Sequence, residues 1–465
     1  MTRFDALARH PLAIAGALIT TASAIAFITL VIAVLAGLLQ NPYAGLVVFV
    51  AIPAVFAIGL ALIPAGMWLQ QRKLRRHPEA AAGWPVLDFR EPRVRRRALA
   101  IAALTAVNVI ILLLGGYGGL HWMESPSFCG QACHVPMTPQ FTAWQAGPHA
   151  RIACASCHIG EGAKGFVQAK LAGTRQLAHV ITGSFPRPIP PGAHMAPGAQ
   201  AQTCLGCHQP MRIGRDRVRV IREYASDEAN SETITVFQMH MGGPSAGGKS
   251  IHWHADPANR VDYVASEDGQ TIPYVKVTDA SGRVKEYRTA DSTNGPVPSG
   301  TPRTMDCIDC HNTGGHPFSP TAEKAVDDAI AAGLVSRALP YVRREGVRLI
   351  SASYPNQDAA LAAIDRELRE FYGKQAGADP RAAISAVQDL YRRNVSTTMQ
   401  VTWGTYPNQL GHIAAPGCGR CHDDGHAASD GTSISGDCEL CHKEVERPKP
   451  SVAASIVAGH PKRPF

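Results

Sequence analysis

Twelve cysteines, each pair followed by a histidine, constrain this chain of 465 residues more than any other feature. The cysteines form six pairs, and a histidine comes directly after the second cysteine of every pair. Motifs 2 to 6 have the spacing Cys-x-x-Cys-His, whereas motif 1 has three residues between its cysteines. We number them in chain order as motif 1 (Cys129–His134), motif 2 (Cys154–His158), motif 3 (Cys204–His208), motif 4 (Cys307–His311), motif 5 (Cys418–His422) and motif 6 (Cys438–His442).

Cys-x-x-Cys-His is the signature of covalent attachment of c-type haem. Two thiols add to the haem vinyl groups, and the adjacent imidazole binds the iron as its proximal ligand. Zinc sites also use cysteine pairs but need no histidine directly after each pair, and the cysteines are too sparse for a small disulfide scaffold. The pattern predicts six covalently bound c-type haems, each with its iron. The predicted attachment residues are Cys129, Cys133, Cys154, Cys157, Cys204, Cys207, Cys307, Cys310, Cys418, Cys421, Cys438 and Cys441, and the proximal ligands are His134, His158, His208, His311, His422 and His442.

A low-spin haem iron needs a second axial ligand, and eleven further histidines follow residue 120. Their positions relative to the motifs favour His149, His252, His316, His412 and His426 as distal ligands, with His194 and His254 next. Ile251-His-Trp-His254 would place both of its histidines on one face if it were extended. Met137 is a candidate for the first haem, where a thioether would raise the potential. The alternative for each of these residues is a packing or surface role.

Two long charge-free runs predict three membrane-spanning helices. Pro11 to Gln71 contains no charged residue, and the turn-forming Gln40-Asn-Pro42 divides it into spans near 12–39 and 44–70. A third span is predicted near 98–120. The loop 72–97 holds nine Lys or Arg and three acids, a net charge of +6, which predicts a cytoplasmic location. The chain after about residue 122 is then periplasmic. A cleaved signal peptide at Ala22-Ser-Ala24 is the weaker alternative, because the apolar run continues past it.

The predicted fold is a membrane-anchored multihaem cytochrome whose periplasmic domain is mostly irregular and α-helical, with a small β insert and a core built on six c-type haems. The predicted segments are a three-helix anchor (1–123), a module with motifs 1 to 3 (124–215), a β-rich insert (216–300), a region with motif 4, a helical block and motifs 5 and 6 (301–446), and a loose tail (447–465). Outside the N-terminus and loop 72–97 the chain has 34 Lys or Arg and 33 Asp or Glu. Haem propionates would make this part acidic, which argues against a nucleic-acid partner.

Residues 120–215 resemble the NapC/NirT family of membrane-anchored periplasmic quinol dehydrogenases. The resemblance rests on Ser127-Phe-Cys129, on Pro148-His149 and on Cys154-Ala-Ser-Cys157-His-Ile-Gly160. The whole layout resembles the larger inner-membrane multihaem quinol oxidoreductases of metal-reducing bacteria, the ImcH type. This chain departs from the NapC/NirT pattern in having three anchor helices, a longer first motif and six motifs where four are common.

The resemblance implies an enzyme of the bacterial inner membrane that oxidises quinol beside the first haem. Electrons would pass from the membrane quinol pool along the haems to a periplasmic cytochrome or reductase, in anaerobic or extracellular respiration. Lys164, Lys170 and Gln176 follow motif 2 in a predicted helix and are the candidates for the quinol site; solvated helix residues are the alternative. The competing hypothesis is an electron-transfer subunit of a larger complex with no quinone site of its own. A homo-oligomer or hetero-oligomer in the membrane is compatible with either.

Overall fold

The computed structural model describes residues 10–36, 38, 47–76, 90–132, 134–159, 162–190, 203–208, 216–242, 250–289, 300, 302–375, 377 and 379–445. The chain divides into two compact units, Met1–His134 and Val135–Phe465.

The first unit contains three long apolar helices: α1 (Pro11–Leu35), α2 (Ile52–Arg76) and α3 (Pro92–Met123). A π-helical turn, Val47–Ala51, precedes α2. The segments Pro11–Ala33, Val47–Lys73 and Pro92–Met123 are long and apolar enough to cross a membrane, which confirms the three predicted spans. Helix α3 begins earlier than predicted because Pro92 suits the first turn of a helix and the arginines after it are good helix formers. Residues 77–89 of the predicted cytoplasmic loop lie outside the described residues.

Small residues let α1 and α2 approach closely. A Cβ atom built on Gly66 would lie 2.5 Å from the backbone nitrogen of Ala13, and one on Gly16 would lie 2.7 Å from the carbonyl oxygen of Gly59. Backbone contact of this kind replaces the hydrophobic driving force that is absent between helices in lipid. Large side chains such as Leu18 and Leu113 are instead exposed on the outside, where lipid would cover them.

The second unit begins with helices α4 (His134–Gln145), α5 (Cys154–His158) and α6 (Gly162–Thr182), the first starting at the unit boundary. A three-stranded antiparallel sheet then combines β1 (Arg217–Tyr224), β2 (Glu232–Met239) and β7 (His442–Val445). A second sheet has the order β5-β4-β3-β6 and consists of β3 (Arg260–Val264), β4 (Tyr274–Thr278), β5 (Val284–Arg288) and β6 (Arg303–Thr304).

Strands β4 and β5 form a hairpin within the segment predicted to be the β-rich insert. Strands β4 and β5 are joined at Asp279, whose side chain accepts hydrogen bonds from the backbone of Ser281 and Arg283. Gly282 has a φ of +79°, which a glycine adopts without strain. Strand β7 begins at His442, the last residue of motif 6, and pairs with β2, so the first sheet joins two regions that are distant in the sequence.

Four helices form the helical block predicted between motifs 4 and 5: α7 (Ala322–Ala331), α8 (Val342–Ser351), α9 (Gln357–Gly373) and α10 (Arg381–Asn394). Their apolar faces bury one core that includes Val326, Ile364 and Tyr391. Asn230, fully buried in the turn between β1 and β2, ties that hairpin to the block. Its side chain donates to the carbonyl oxygens of Arg337 and Leu339 and accepts from the backbone of Arg343.

Candidate functional site: paired histidines at the cysteine motifs

Each of motifs 2 to 6 begins in a single turn of helix. Motif 2 is the short helix α5, motif 3 is helical over residues 203–205, and motifs 4, 5 and 6 begin in the turns Cys307–Asp309, Gly417–Arg420 and Cys438–Leu440. In motifs 3, 4 and 5 the backbone N–H of the histidine donates to the carbonyl oxygen of the first cysteine, at 2.7 to 3.0 Å. Residues three and four positions apart lie on one face of such a turn. Both thiols and the imidazole of a motif can therefore face one ligand.

The cysteines are available for covalent attachment. All eleven that the structure describes are free of disulfide bonds, and only Cys133 lies outside the described residues.

The structure pairs the histidine of each of motifs 2 to 6 with a histidine from elsewhere in the second unit. The separations between ring centroids are all close to 6 Å. They are 6.1 Å for His158 with His316, 5.9 Å for His208 with His149, 6.4 Å for His311 with His252, 5.9 Å for His422 with His254, and 6.1 Å for His442 with His412.

This separation fits a metal ion between two imidazoles. A metal–nitrogen bond of about 2.0 Å on each side would place the two ring centroids roughly 6 Å apart. Rings in direct stacking contact would lie closer together. The donor set of two thiols, a neighbouring imidazole and a second imidazole is that of a c-type haem with two histidine ligands. The residues present at motifs 2 to 6 therefore fit such a group.

Backbone carbonyl groups orient four of the non-motif histidines. The Nδ1 atom of each lies 2.9 to 3.0 Å from a carbonyl oxygen, which can only accept a hydrogen bond, so Nδ1 carries the proton. The pairs are His149 with Gly314, His316 with Gln140, His252 with Met241, and His254 with Ile251. This tautomer leaves the lone pair of Nε2 free, which is the usual arrangement for a metal-binding histidine.

Burial keeps several of these imidazoles neutral. It lowers the pKa of His254, His311 and His316, and in His254 and His311 neighbouring histidines lower it further. A neutral ring is the form that binds a metal ion.

The turn Ile251–Ala255 differs from the extended segment considered from the sequence. It is a tight 3₁₀ turn, in which each residue rotates by about 120°. His252 and His254 therefore point in different directions and lie against His311 of motif 4 and His422 of motif 5, respectively. His254, placed in the second rank by sequence, belongs to a pair.

His426 belongs to none of the five pairs. The side chain is only 1% exposed and both ring nitrogens are occupied. Nδ1 lies 2.8 Å from a carboxylate oxygen of Asp423, and Nε2 lies 2.6 Å from the carbonyl oxygen of Ile272. This arrangement does not support the ligand role predicted from sequence, because no nitrogen lone pair is free to bind a metal.

Motif 1 and its candidate ligands are described only in part. Cys129 is half-buried at a π-helical turn, Phe128–Ala132, and Met137 lies in α4. Cys133, the side chain of His134 and the whole of His194 lie outside the described residues. The predictions for these residues therefore stay predictions.

The three candidates for a quinol site lie on α6. Lys170 places its ammonium group 5.0 Å from the ring centroid of Phe166, and Gln176 is exposed. The side chain of Lys164 is outside the described part of the chain. Motif 1 belongs to the first unit and these residues to the second, so their relation to motif 1 stays a prediction.

Two residues inside the motifs, which sequence reasoning passed over, hold the motifs in place. The buried carboxylate of Asp309 in motif 4 accepts hydrogen bonds from the hydroxyl of Tyr263 at 2.6 Å and from Arg303 at 3.0 Å. The guanidinium of Arg420 in motif 5 donates to the carbonyl oxygens of Asp309 at 2.8 Å and of Gly269 at 3.0 Å. The sequence signal that could have identified both residues is a charged side chain at a variable position between the two cysteines of a motif.

This chain combines three helices long enough to span a membrane with repeated Cys-x-x-Cys-His motifs whose histidines are paired. These features place it in the class of membrane cytochromes c. The chain is 36% identical to the cytochrome c-type protein ImcH of Geobacter sulfurreducens (strain ATCC 51573 / DSM 12127 / PCA) over 453 residues, which cover 94% of this chain and 88% of that protein. The chain therefore belongs to the membrane cytochrome c family of which that protein is a member. Neither a family model nor a solved structure matches the chain.

Proposed function

We propose that this protein is a quinol dehydrogenase of the NapC/NirT type, which takes electrons from the membrane quinol pool and delivers them to a periplasmic acceptor. The observation that carries the electron-transfer part is the set of five histidine pairs, each containing the histidine of a Cys-x-x-Cys-His motif. A protein that only bound zinc would need neither the second histidine nor the repeated 6 Å separation.

Each of the six motifs would hold one haem through its two cysteines and its histidine. The second ligands proposed for motifs 2 to 6 are, in order, His316, His149, His252, His254 and His412. When bound, covalent haem supplies one-electron transfer at the iron. With two imidazoles as ligands, each of these five sites would have no place left for a substrate to bind, so the sites suit electron transfer.

Quinol oxidation is proposed at the membrane end of the chain. Motif 1 begins six residues after Met123, the end of α3, and quinol is confined to the bilayer. Helix α6 supports a membrane-facing role for part of the second unit. Val167, Leu171 and Ile181 lie on one helical face and are 53%, 67% and 76% exposed.

The charge on α6 fits the same surface. The helix contains Lys164, Lys170 and Arg175 but no acidic residue. An amphipathic helix with an apolar face and cationic side chains lies well in the headgroup region of a bilayer. Lys164, Lys170 and Gln176 would then stand where quinol reaches the membrane surface, and a side chain there would help accept the two protons that its oxidation releases.

The proposed orientation follows from charge. The cationic ends of α2 and α3 would face the cytoplasm, and the second unit would lie in the periplasm of a bacterium with the anchor in the inner membrane. The proposed acceptor is a periplasmic cytochrome or reductase.

Reduction by quinol of the full-length protein, purified in detergent with no partner, tests the proposal. We expect the haem absorbance to show rapid reduction, and we expect Leu171→Asp to slow reduction by quinol in vesicles but not chemical reduction. The matched control is Gln168→Asp, on the polar face of the same helix. Failure of quinol to reduce the protein would favour the alternative, a subunit without its own quinone site.

A further inference from the structure

Specific contacts link consecutive motifs of the second unit. The turn directly after motif 4 orients the second histidine of motif 3. The backbone N–H of Gly314 donates to the carbonyl oxygen of His311 at 3.1 Å, and the carbonyl oxygen of Gly314 accepts from Nδ1 of His149 at 2.9 Å. Burial, and then the thiols of Cys307 and Cys157, raise the pKa of Cys204 to about 11. The thiol of Cys204 is thus close to the motif before it and to the motif after it.

Motifs 2 and 3 are also linked through their second histidines. His149, paired with motif 3, donates from Nδ1 to the carbonyl oxygen of Gly314 at 2.9 Å. Gly314 lies two residues before His316, which is paired with motif 2. The loop that positions one histidine therefore also orients the other, and neither pair can move far without the other.

Motifs 4 and 5 share one ligand-bearing turn. Ile251–Ala255 is five residues long, and it directs His252 to motif 4 and His254 to motif 5. Arg420 of motif 5 reinforces the link by donating to the carbonyl oxygen of Asp309 in motif 4 at 2.8 Å. Cys310 and Cys418, one from each motif, are close enough to raise the thiol pKa of Cys310, after burial.

Motifs 5 and 6 are joined by the segment between them. Nδ1 of His422 donates to the carbonyl oxygen of Ser435 at 2.8 Å, three residues before Cys438 of motif 6. The backbone N–H of Gly436 donates to the side chain of Asp424 at 2.9 Å.

We infer that the sites at motifs 2 to 6 form one unbranched row in chain order, with motif 6 at its end, and that the turn Ile251–Ala255 joins the sites of motifs 4 and 5 as a shared ligand bridge. This inference rests on the proposed ligand pairs, but it needs neither quinol oxidation nor any particular acceptor. It identifies the motif 6 end as the end of the row away from motif 2.

The order can be tested through the effect of each site on its neighbours. Methionine in place of the second histidine raises the potential of its own site. That site then loses a positive charge earlier in a reductive titration, which makes its nearest neighbours harder to reduce, because the interaction falls with distance. The measurement is a mediated redox titration of the full-length protein, followed by the low-spin signals in electron paramagnetic resonance.

We call the haem site at each motif by the number of that motif, so that site 4 is the site at motif 4. For His252→Met we expect the signal of site 4 to be replaced by one with a histidine–methionine signature at higher potential. The midpoints of sites 3 and 5 should fall, and those of sites 2 and 6 should stay unchanged. Single methionine variants at His149, His254, His316 and His412 assign the remaining signals. His426→Gln is the matched control and should leave every signal in place.

His254→Met tests the same bridge from its other side, and it serves if the first variant does not fold. His254→Met changes site 5, so the midpoint potentials of sites 4 and 6 should fall. His412→Met changes site 6 at the end of the row, so the midpoint potential of site 5 alone should fall. Shifts of sites 2 and 6 as large as those of sites 3 and 5 in His252→Met would overturn the row. A protein that quinol does not reduce, but that gives the expected shifts, would refute the proposed function and leave the row standing.

Discussion

Two substitutions of His426 test whether this histidine is a haem ligand or a structural residue. His426→Asn and His426→Gln each remove a different one of its two side-chain hydrogen bonds. The amide nitrogen of asparagine takes the place of Nδ1, and that of glutamine takes the place of Nε2. His426→Asn keeps the bond to Asp423 but leaves the carbonyl oxygen of Ile272 without its donor. His426→Gln keeps the bond to Ile272 and loses the one to Asp423.

The surroundings of the two acceptors decide which variant is worse. The side chain of Asp423 is 39% exposed, and its carboxylate also accepts from the backbone of Gly425 at 2.9 Å, so water and that bond compensate for the lost donor. Ile272 is 1% exposed, and a buried carbonyl left unsatisfied costs about 1–3 kcal/mol. We expect a loss of about 0.5–1.5 kcal/mol for His426→Gln and a larger loss for His426→Asn.

The assay combines stability with ligand spectroscopy. The denaturant midpoint of the holoprotein should fall in the order wild type, His426→Gln, His426→Asn, with shifts of roughly 1 M urea or less. Haem content and all low-spin signals should be unchanged in both variants. Loss of one low-spin signal, or of one haem per chain, in both variants would mean that His426 is a ligand, and the reasoning from its two hydrogen bonds would be refuted.

Asn230→Ala should destabilise the second unit by about 2–4 kcal/mol, because it removes three hydrogen bonds to the backbone of residues 337–343. Hydrogen exchange should rise first in the hairpin of β1 and β2. Gly66→Leu should lower thermal stability in detergent, because the larger side chain overpacks the contact between α1 and α2. Gly116→Leu is the control and should have no such effect, because a Cβ atom on Gly116 meets no atom within 4 Å. Equal effects of the two substitutions would contradict this packing. A pyridine haemochrome assay should give six covalent haems per chain and five in Cys129→Ser; five in both would exclude motif 1 as a haem site.

The elements with a strong local signal could be predicted from the sequence. The three spans follow from charge-free length, and the β4–β5 hairpin follows from Asp279 and Gly282 at its turn. The cysteine motifs are short and continuous, so their spacing alone indicates their chemistry. Each of these signals lies within a few residues of the structure that it specifies.

Which histidine faces which motif could not be predicted in this way, because the pairing is nonlocal. His149 lies just before motif 2 but faces motif 3, and His316 lies just after motif 4 but faces motif 2. His252 and His254 are two residues apart and serve different motifs because their segment is a 3₁₀ turn and not a strand. His426 has a position in the sequence as suitable as that of His412, and only its two buried hydrogen bonds distinguish it.

The helical block explains how motifs 4 and 5 become neighbours although they are far apart in the chain. The block has its own apolar core and contains no motif. Its two ends meet, since the side chain of Asn394 accepts a hydrogen bond at 2.7 Å from the backbone N–H of Ser319. The helical block is thus an insertion whose first and last residues lie next to each other, so motif 5 begins close to where motif 4 ends. The entropy cost of closing such an insertion rises only slowly with its length. The number of residues in the block therefore has little effect on the distance between the sites of motifs 4 and 5. The histidine pairs need only the local turns and the carbonyl groups that orient them.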